Sequence, residues 1–352
     1  MVADGSAAVE SRAMDLRALP KVDLHRHLEG AVRLPTIIDL HRAAGLDLPA
    51  WTEAELAPHA LVTEPVGSLE AALTAFGYAQ RSFVDVASVE RIAREAVEDL
   101  AAENVRLAEL RFSPEFMCSP AGLDWDESLA AVRAGVGGAV AAGHDVAVGL
   151  VVIFSRDLGL ESADRTVEFA LRHRDEVVGF DIAGPELGYP PSTYASQVRR
   201  VLDSGMHMTL HYGESGPPPY PREAIELGAE RLGHGLTVAG DPSVTALARE
   251  RGVTLEMCPT SNWLTHGVDR LADHPARRLL HEGLRVTLNT DDPGLMGIDL
   301  THEFEVARSE LAFDDDDFAA AVSNSLAATF LPRDVVEDVR ARHFAWAGSA
   351  RP

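Results

Sequence analysis

The sequence has little cysteine and a single lysine. Its 352 residues include two cysteines, Cys118 and Cys258, which leaves no disulfide framework and fits a reducing compartment. Lys21 is the only lysine in the chain. A basic start followed by an apolar stretch is also missing, because Asp4 and Glu10 interrupt the first residues, so we expect no signal peptide. No apolar run is long enough to span a membrane, and these absences together predict a soluble cytoplasmic protein.

Positive charge is scarce as well. The chain carries 31 Lys plus Arg against 55 Asp plus Glu, a formal net charge of −24. A field of that sign repels phosphate backbones, which argues against a nucleic-acid partner. Hydrophobic residues make up 46% of the sequence, enough to bury a sizeable core. The length fits either two domains or one large α/β barrel.

Segments typical of strands and of helices alternate along the chain. Apolar runs of strand length recur at 22–25, 105–112, 145–154, 177–182, 207–212, 231–234, 253–257 and 285–289. Helical patterns separate them, including 128–142, 163–173, 192–204, 243–251 and 275–282. This alternation predicts a parallel sheet with helices outside it, and eight units predict a single (β/α)8 TIM-type barrel with additional helices. A doubly wound open sheet is the alternative, disfavoured because no glycine-rich phosphate loop follows the first strand.

The barrel is expected to form one domain over residues 20–352, preceded by a flexible N-terminal arm over 1–19. Residues 47–67 are rich in Pro, Ala and Glu and predict an irregular segment that covers a pocket. Residues 68–103 predict mostly helix, with Ser88 as a cap. The acidic run 314–317 predicts a solvated loop, and residues 332–346 predict a packing helix.

Two histidines end the first predicted strand, in the run Lys21-Val-Asp-Leu-His25-Arg-His27-Leu-Glu29-Gly30. In an extended chain, residues i and i+2 point to the same face, so His25 and His27 aim both imidazoles at one point. Two converging neutral imidazoles form half of a site for a divalent metal such as zinc. An HxH pair alone is weak evidence, because it also occurs by chance.

Further polar residues stand where the other predicted strands end, and chemistry in such barrels sits at the carboxyl ends of the strands. These groups are Gly184-Pro-Glu186, His211-Tyr-Gly-Glu214, Gly233-His234-Gly235, Cys258-Pro-Thr-Ser261-Asn262 and Asn289-Thr-Asp291-Asp292. Histidines from three strands and paired aspartates from a fourth predict a mononuclear metal centre. Cys258 is expected to be a packed thiol. The other histidines are expected to be structural or at the surface: His41, His59, His144, His173, His207, His266, His274, His281, His302 and His343.

Roles follow from what zinc catalysis requires, namely several protein ligands and an open position for water. The donors available are His25, His27, His211 and one aspartate. His234 is then left to take the water's proton and to stabilise the developing charge. Glu214 closely follows His211 and is placed as an acid that protonates a substrate ring nitrogen. Asp292 would orient the nucleophile or accept a hydrogen bond from the substrate.

Taken in order, these motifs resemble those of the adenosine deaminase family of metal-dependent hydrolases. The matching features are HxH with a following acid and glycine, His-x-Gly-Glu, Gly-His-Gly, Cys-Pro-x-Ser-Asn and Thr-Asp-Asp-Pro, and the likeness runs from about residue 19 to 313. The resemblance implies a (β/α)8 barrel with one Zn²⁺ per chain that hydrolyses a purine 6-amino group to a 6-oxo group and releases ammonia. The implied zinc ligands are His25, His27, His211 and Asp291.

The resemblance also implies how the purine is held. Glu214 protonates N1, and His234 assists the attacking water. The implied substrate-binding residues are His27, Glu29, Gly184 and Asp292. Of these, Glu29 corresponds to the position at the ribose 5′-hydroxyl, the Gly184 amide meets N3 and Asp292 lies on the N7 side. Residues 47–67 and the helix around Phe76 correspond to a lid and an apolar pocket wall.

Three features depart from the family pattern. The family has Asp where Glu29 stands and Ala where Tyr212 stands, and residues 215–221 are unusually rich in proline. No ligand and no acid is lost, so we expect the chemistry to be retained and the sugar end of the pocket to differ. The expected substrate is adenosine, 2′-deoxyadenosine or an adenosine with a different 5′ end. Alternatives are aminodeoxyfutalosine, 5′-methylthioadenosine, S-adenosylhomocysteine and free adenine.

Two other classes compete with this interpretation. A metal-binding scaffold that has lost catalysis would not need Glu214 and His234 around the metal. A barrel hydrolase that acts on another bond often holds two metals bridged by a lysine. Lys21 is the only lysine and stands at the start of the first predicted strand, so the sequence excludes such a bridge. The sequence indicates no oligomeric state.

Overall fold

The computed structural model describes residues 14–66 and 69–348. Within them, eight parallel strands follow one another in chain order around a nearly closed barrel, which confirms the predicted fold. The strands are β1 (Lys21–His27), β2 (Val105–Phe112), β3 (Ala147–Ser155), β4 (Gly179–Ala183), β5 (His207–His211), β6 (Arg231–Gly233), β7 (Thr254–Met257) and β8 (Arg285–Leu288).

Helices cover the outside of the barrel and fill several of the connections. They are Leu34–Ala44, Glu53–Ala60, Leu69–Gln80, Val86–Ala102, Pro114–Cys118, Trp125–Ala141, Gly159–Arg172, Ala195–Asp203, Pro219–Leu227, Pro242–Arg251, Pro259–Leu264, Ala276–His281, Pro293–Met296, Leu300–Ser309, Asp315–Ala328 and Arg333–His343. Several begin with proline, which is tolerated there because the first helical N–H needs no partner within the helix. In the part of the chain that is described, no helix has both the length and the apolar character needed to cross a membrane.

The strand pleat separates an apolar outer layer from a polar barrel interior. In β5, Met208 and Leu210 are fully buried in the main hydrophobic core, while Thr209 and His211 point inward. Thr209 Oγ1 donates to Glu256 Oε1 of β7 across the interior, at 3.0 Å. The barrel interior is therefore a place where charged groups meet one another beneath the strand ends.

Among the seven ladders between consecutive strands, the one between β4 and β5 is the shortest. Only Gly179 with His207 and Phe180 with Met208 are paired, both near the beginning of the strands. Beyond these pairs, side chains bridge the gap, because Asp181 Oδ1 accepts from the His211 amide at 3.2 Å. The seam opens toward the carboxyl ends, where the predicted site residues stand.

The lid-like segment 47–67 is not irregular throughout, which corrects the prediction. Glu53–Ala60 forms a helix whose N-cap, Thr52, accepts a hydrogen bond from the backbone of Glu55. Leu56 is fully buried, so the helix packs its apolar side on the barrel. Gly67, the last residue of the predicted segment, lies outside the described residues.

Two helix starts also differ from the prediction. Asp85, not Ser88, is the N-cap of Val86–Ala102, and Ser88 is the third helical residue of a capping box. Residues 314–317 are not a loop, because Asp314 caps the helix Asp315–Ala328 and the other acids fill its first turn. Negative charge is favoured there by the helix dipole.

The predicted N-terminal arm falls mainly on residues 1–13, which lie outside the described residues. Of the remainder, Leu16 and Leu19 are buried, and the Met14 carbonyl accepts from Arg308 Nη1 at 2.8 Å. The chain is therefore packed against the barrel from about residue 14, earlier than the predicted boundary at residue 20.

Candidate active site

The four predicted ligands come together at the carboxyl ends of three strands. His25 and His27 are in β1, His211 ends β5 and Asp291 follows β8. Asp291 Oδ1 lies 3.2 Å from His25 Nε2 and 3.2 Å from His27 Nε2. The Nε2 atoms of His27 and His211 are 3.3 Å apart. One atom from each side chain thus faces a common point.

These separations fit a single small cation. Two ligands held by Zn²⁺ at about 2.0–2.1 Å in tetrahedral directions stand about 3.3 Å apart, close to the distances between these atoms. His25 Nε2 is buried and has no partner with hydrogen-bond geometry in the described protein. A buried ring nitrogen of this kind is stabilised by a bound ion. Three imidazoles and a carboxylate are donors that zinc accepts.

Buried carboxylates contact the far ring nitrogen of two of the predicted ligand histidines. Glu256 Oε2 lies 2.9 Å from His25 Nδ1, and Asp181 Oδ2 lies 2.8 Å from His211 Nδ1. Arg111 joins the two carboxylates, with contacts of 2.8 Å to Asp181 and 2.9 Å to Glu256. A carboxylate on Nδ1 fixes the ring so that Nε2 faces the metal.

The charges in this network favour the states that bind a metal. Burial lowers the pKa of His211 well below 6.5, so its imidazole is neutral at pH 7. Burial opposes ionisation of Asp181, but His211 and Arg111 hold its pKa below its usual range. For Glu256, Arg111 and Arg231 outweigh the burial in the same way.

Asp291 is held in a strained conformation by the barrel closure. Its φ is +66°, in the left-handed region that residues other than glycine seldom adopt. Its carbonyl accepts from the His27 amide and its amide donates to the His25 carbonyl, both at 2.8 Å. Ser261 Oγ donates to Asp291 Oδ2 at 2.6 Å. Burial opposes its ionisation, but His25 and His27 hold the pKa of Asp291 well below its usual range.

Glu214 and His234 lie beside this cluster. Glu214 Oε2 is 3.7 Å from His234 Nε2, and Thr265 Oγ1 donates to Glu214 Oε1 at 3.3 Å. The Glu214 side chain is 25% exposed and that of His234 2%, so a ligand entering from solvent reaches the carboxylate first. His234 has φ +62° between two glycines. The second, Gly235, has φ +70°, and a Cβ on Gly233 would lie 2.9 Å from His211 Cγ, so these glycines do more than mark a turn.

Asp292 approaches the turn after β1 very closely. A Cβ at Gly30 would lie 1.8 Å from Asp292 Oδ1, so only glycine permits the approach. Asp292 Oδ1 is buried and has no hydrogen-bond partner among the described residues. Burial, together with the Asp291, Glu29 and Glu214 carboxylates, raises the pKa of Asp292 well above its usual range.

Two further predicted substrate residues stand at the same end of the barrel. Glu29 follows β1, is 3% exposed and accepts a hydrogen bond from the Ser113 amide at 2.6 Å. Burial raises the pKa of Glu29 to about 7. Gly184 follows β4 with φ +87°, and a Cβ there would meet Ser155 Oγ at 2.3 Å. The Phe76 ring packs edge-on against Phe116, with centroids 5.2 Å apart.

Comparison with known proteins agrees with this geometry. Residues 20–343 match the family described as "Adenosine deaminase". An adenosine deaminase of Erwinia tasmaniensis is 38% identical over 325 residues, which cover 92% of this chain and 98% of that relative. The chain belongs to the adenosine deaminase family. It is accordingly a hydrolase that acts on C–N bonds of adenine-type substrates.

Solved structures share the barrel. An adenine deaminase from Arthrobacter aurescens has a TM-score of 0.84 and 28% identity, covering 94% of this chain and 100% of that one. An amidohydrolase from Burkholderia ambifaria, solved with bound Zn, has a TM-score of 0.84 and 27% identity, covering 97% and 95%. The likeness of this adenosine deaminase family member to both extends over nearly its whole length.

The departure at Tyr212 does not change the space in front of the ligands. Because His211 and Tyr212 are consecutive in an extended segment, their side chains face opposite sides. The Tyr212 ring lies 4.2 Å from the Arg156 guanidinium carbon, and its hydroxyl donates to the Tyr189 carbonyl at 3.0 Å. The tyrosine therefore packs behind the strand, on the side away from the clustered histidines.

One buried carboxylate holds the whole loop that carries Glu214. Glu186 is 2% exposed and accepts from the backbone amides of residues 213, 214, 215 and 216, at 2.9, 2.7, 3.0 and 3.1 Å. Thr237 binds the carbonyls at both ends of the loop, at 2.9 Å to Gly213 and 2.8 Å to Gly216. The position of Glu214 in this adenosine deaminase family member is therefore set by Glu186, to which the sequence assigned no role.

We expect Glu186→Gln to lower kcat by about 100-fold with little change in metal content. The glutamine amide presents N–H groups to backbone donors, which displaces the loop, and a displacement of about 1 Å at a catalytic group costs about that factor. The measurement is kcat and bound metal for the single variant, for Glu214→Gln and for the double variant. Because the effect is exerted through Glu214, adding Glu186→Gln to Glu214→Gln should lower kcat by less than about a further 2-fold.

Asp317→Asn is the matched control for this experiment. Asp317 is also a buried carboxylate, and it accepts from the Asp314 amide and from Arg277 in the cap of a distant helix. It should lower the melting temperature without changing kcat per bound metal. Independent, multiplicative losses from Glu186→Gln and Glu214→Gln would refute the coupling.

Sequence reasoning missed the residues that support the ligands. Asp181, Glu256 and Arg111 received no role, although Asp181 and Glu256 are each the single charged residue of their strand and Arg111 is one of three charged residues in β2. Such a residue cannot be buried without a partner, so its presence signals a buried ion pair. His274, which was expected to be structural or at the surface, is buried and contacts Asn262, which in turn contacts His234.

Proposed function

We propose that the protein is a zinc-dependent hydrolase that converts the 6-amino group of an adenine nucleoside to a 6-oxo group and releases ammonia. The observation that carries this proposal is the convergence of His25, His27, His211 and Asp291, with Glu214 and His234 beside them. A scaffold that only binds metal gains nothing from a partly exposed carboxylate held next to the ligand cluster.

One zinc ion per chain fits the ligand set. His25, His27, His211 and Asp291 would hold it, and the neutral His211 together with the unpartnered His25 Nε2 supports this assignment. When bound, zinc supplies a Lewis acid that makes water nucleophilic at neutral pH. Asp181 and Glu256 keep the two histidine rings in the orientation that this requires.

The purine would be oriented by groups around the cluster. Glu214, steadied by Thr265, protonates N1 as water adds to C6. Asp292 would meet the N7 side, supported by its buried oxygen that lacks a partner in the described chain. The Gly184 amide would contact N3, and His27 lines the substrate site besides holding the metal.

The 5′ end of the substrate would face Glu29. The Glu29 carboxyl can hydrogen-bond a ribose hydroxyl whether or not it is ionised, whereas its ionised form, present in part at pH 7, would meet a like charge in a 5′-phosphate. Glu29 therefore favours a nucleoside over a nucleotide. Glu29 is one methylene longer than the Asp of the family pattern, so the space at the 5′ end differs. The substrates to compare are therefore adenosine, 2′-deoxyadenosine and uncharged 5′-modified adenosines.

The test is kcat/KM of the zinc-loaded protein for a panel of 6-aminopurines. The panel contains adenosine, 2′-deoxyadenosine, 5′-methylthioadenosine, S-adenosylhomocysteine, aminodeoxyfutalosine, AMP and adenine. We expect an unphosphorylated nucleoside to exceed AMP by about 100-fold, because like-charge contacts cost several kcal/mol. Glu29→Gln should lower the ratio of kcat/KM for the nucleoside to kcat/KM for AMP. Turnover of no 6-aminopurine, or preference for AMP, would overturn the proposal.

Free adenine is the second candidate, favoured by the similarity to the Arthrobacter aurescens adenine deaminase. The nucleoside is preferred because the curated relative with 38% identity is named adenosine deaminase, against 28% identity for the adenine deaminase. Adenine also lacks the ribose, whose binding energy would contribute to catalysis. A higher kcat/KM for adenine than for every nucleoside in the panel would reverse this choice.

A further inference from the structure

A chain of three side chains runs from His234 away from the ligand cluster. Asn262 Nδ2 lies 3.0 Å from His234 Nδ1, and Asn262 Oδ1 lies 3.1 Å from His274 Nε2. All three side chains are buried. The chain ends on the main chain, because the backbone N–H of Ala276 lies 3.3 Å from His274 Nδ1.

That last contact fixes the direction of every hydrogen bond in the chain. A backbone N–H can only donate, so His274 Nδ1 must carry a lone pair. Burial lowers the pKa of His274 to about 3, so the ring is neutral at pH 7. A neutral imidazole has one N–H, and here it must be at Nε2, which then donates to Asn262 Oδ1.

The orientation of Asn262 follows, and with it the proton on His234. With Oδ1 occupied by the donor from His274, the amide Nδ2 faces His234 and donates to Nδ1. His234 Nδ1 is therefore an acceptor, and its neutral ring carries the proton at Nε2.

We propose that Asn262 and His274 are positioning residues that fix the proton of His234 on Nε2, so that His234 donates a hydrogen bond to the attacking oxygen and does not accept its proton. The inference rests on the proposed function and deepens it. From the sequence, His234 was expected both to take the water's proton and to stabilise the developing charge. The proposal keeps the second role and drops the first. The groups that face His234 Nε2 are acceptors, as a protonated Nε2 requires. They are Glu214 Oε2 at 3.7 Å and Asp291 Oδ2 at 4.0 Å.

Glu214 then carries the proton that His234 does not take. The water oxygen forms a bond to C6 while one water proton passes to the Glu214 carboxylate and from there to N1. In the second step the C6–N bond breaks, the proton of the new hydroxyl goes to the leaving amine, and the products are the 6-oxopurine and ammonia. His234 donates throughout and changes its protonation in neither step.

The direct test is ¹⁵N NMR of the metal-loaded protein with labelled histidine, with the His234 signals assigned by their loss in His234→Gln. We expect a protonated Nε2 and an unprotonated Nδ1. In Asn262→Asp, the new carboxylate accepts from both histidines, so the proton should move to Nδ1 of His234. A proton on Nδ1 in the wild type would overturn the proposal, whether or not the protein deaminates a purine.

Steady-state kinetics distinguish a positioning role of Asn262 and His274 from a role in packing alone. Asn262→Asp should lower kcat by about 100-fold with KM changed less than about 3-fold, the cost of losing one donor to a developing negative charge. His274→Gln keeps an N–H donor toward Asn262 and should retain more kcat than His274→Leu. His281→Asn, a half-exposed histidine paired with Asp317, serves as the control without effect. Equal kcat for the wild type and Asn262→Asp would contradict the positioning role of Asn262. An inactive wild type in which His234 still carries its proton on Nε2 would refute only the proposed function.

Discussion

Glu214→Gln is expected to lower kcat by about 1,000-fold while the metal content stays at the wild-type value. A positioned general acid contributes about 10²–10⁴ to the rate, and glutamine cannot deliver a proton to N1. The substitution keeps the shape of the side chain and its contact with Thr265, and Glu214 is not a member of the ligand cluster. The measurement is steady-state kinetics together with metal analysis of the same preparation.

Glu223→Gln provides the control for this loss. It removes a carboxylate from the helix that follows the same loop, where Glu223 accepts from the Ser192 amide at the surface. We expect it to leave kcat unchanged. If Glu214→Gln kept more than about a tenth of the wild-type kcat, the acid would have to be another group, and the proton path through Glu214 would be wrong.

His211→Ala is expected to abolish tight metal binding and the stability that depends on it. A ligand that binds only the folded chain stabilises it by about 4 kcal/mol at a free concentration 1,000 times its dissociation constant. That increment should vanish in the variant, because one of the four proposed ligands is gone and Asp181 keeps only Arg111 as a charged partner. The measurement is the melting temperature with added zinc and with a chelator.

His207→Ala is the matched histidine from the same strand. His207 begins β5 and pairs with Glu230 at the other end of the barrel, at 3.0 Å. It should keep the full difference between the zinc and chelator melting temperatures. Retention of that difference in His211→Ala would mean that the metal is held elsewhere.

The sequence predicts most of the barrel and the ligand set for a physical reason. Parallel strands buried on both faces appear as apolar runs, and their carboxyl ends meet at one edge, so the residues that follow each run must be neighbours. His25, His27, His211 and Asp291 all stand at such positions, and the structure brings them together. Errors of one to four residues at strand and helix ends reflect local hydrogen bonds, such as those of the Asp85 cap.

What the sequence could not give are partnerships between side chains that are distant along the chain. Glu186 binds amides 27 to 30 residues away, and the link from His274 to His234 passes through Asn262. Nothing in the residue types specifies which carboxylate meets which amide, because that depends on how the strands are staggered. Tyr212 shows the same limit: its place next to His211 predicts which side of the strand it faces, but not that it meets Arg156 and Tyr189 there.

The most direct test of the central claim is a titration of the metal-free protein with zinc while ammonia release from adenosine is followed. We predict no turnover without metal and a linear rise in rate that breaks at one zinc per chain. Turnover by the metal-free protein, a break at two zinc ions per chain, or no ammonia at any zinc concentration would contradict the account.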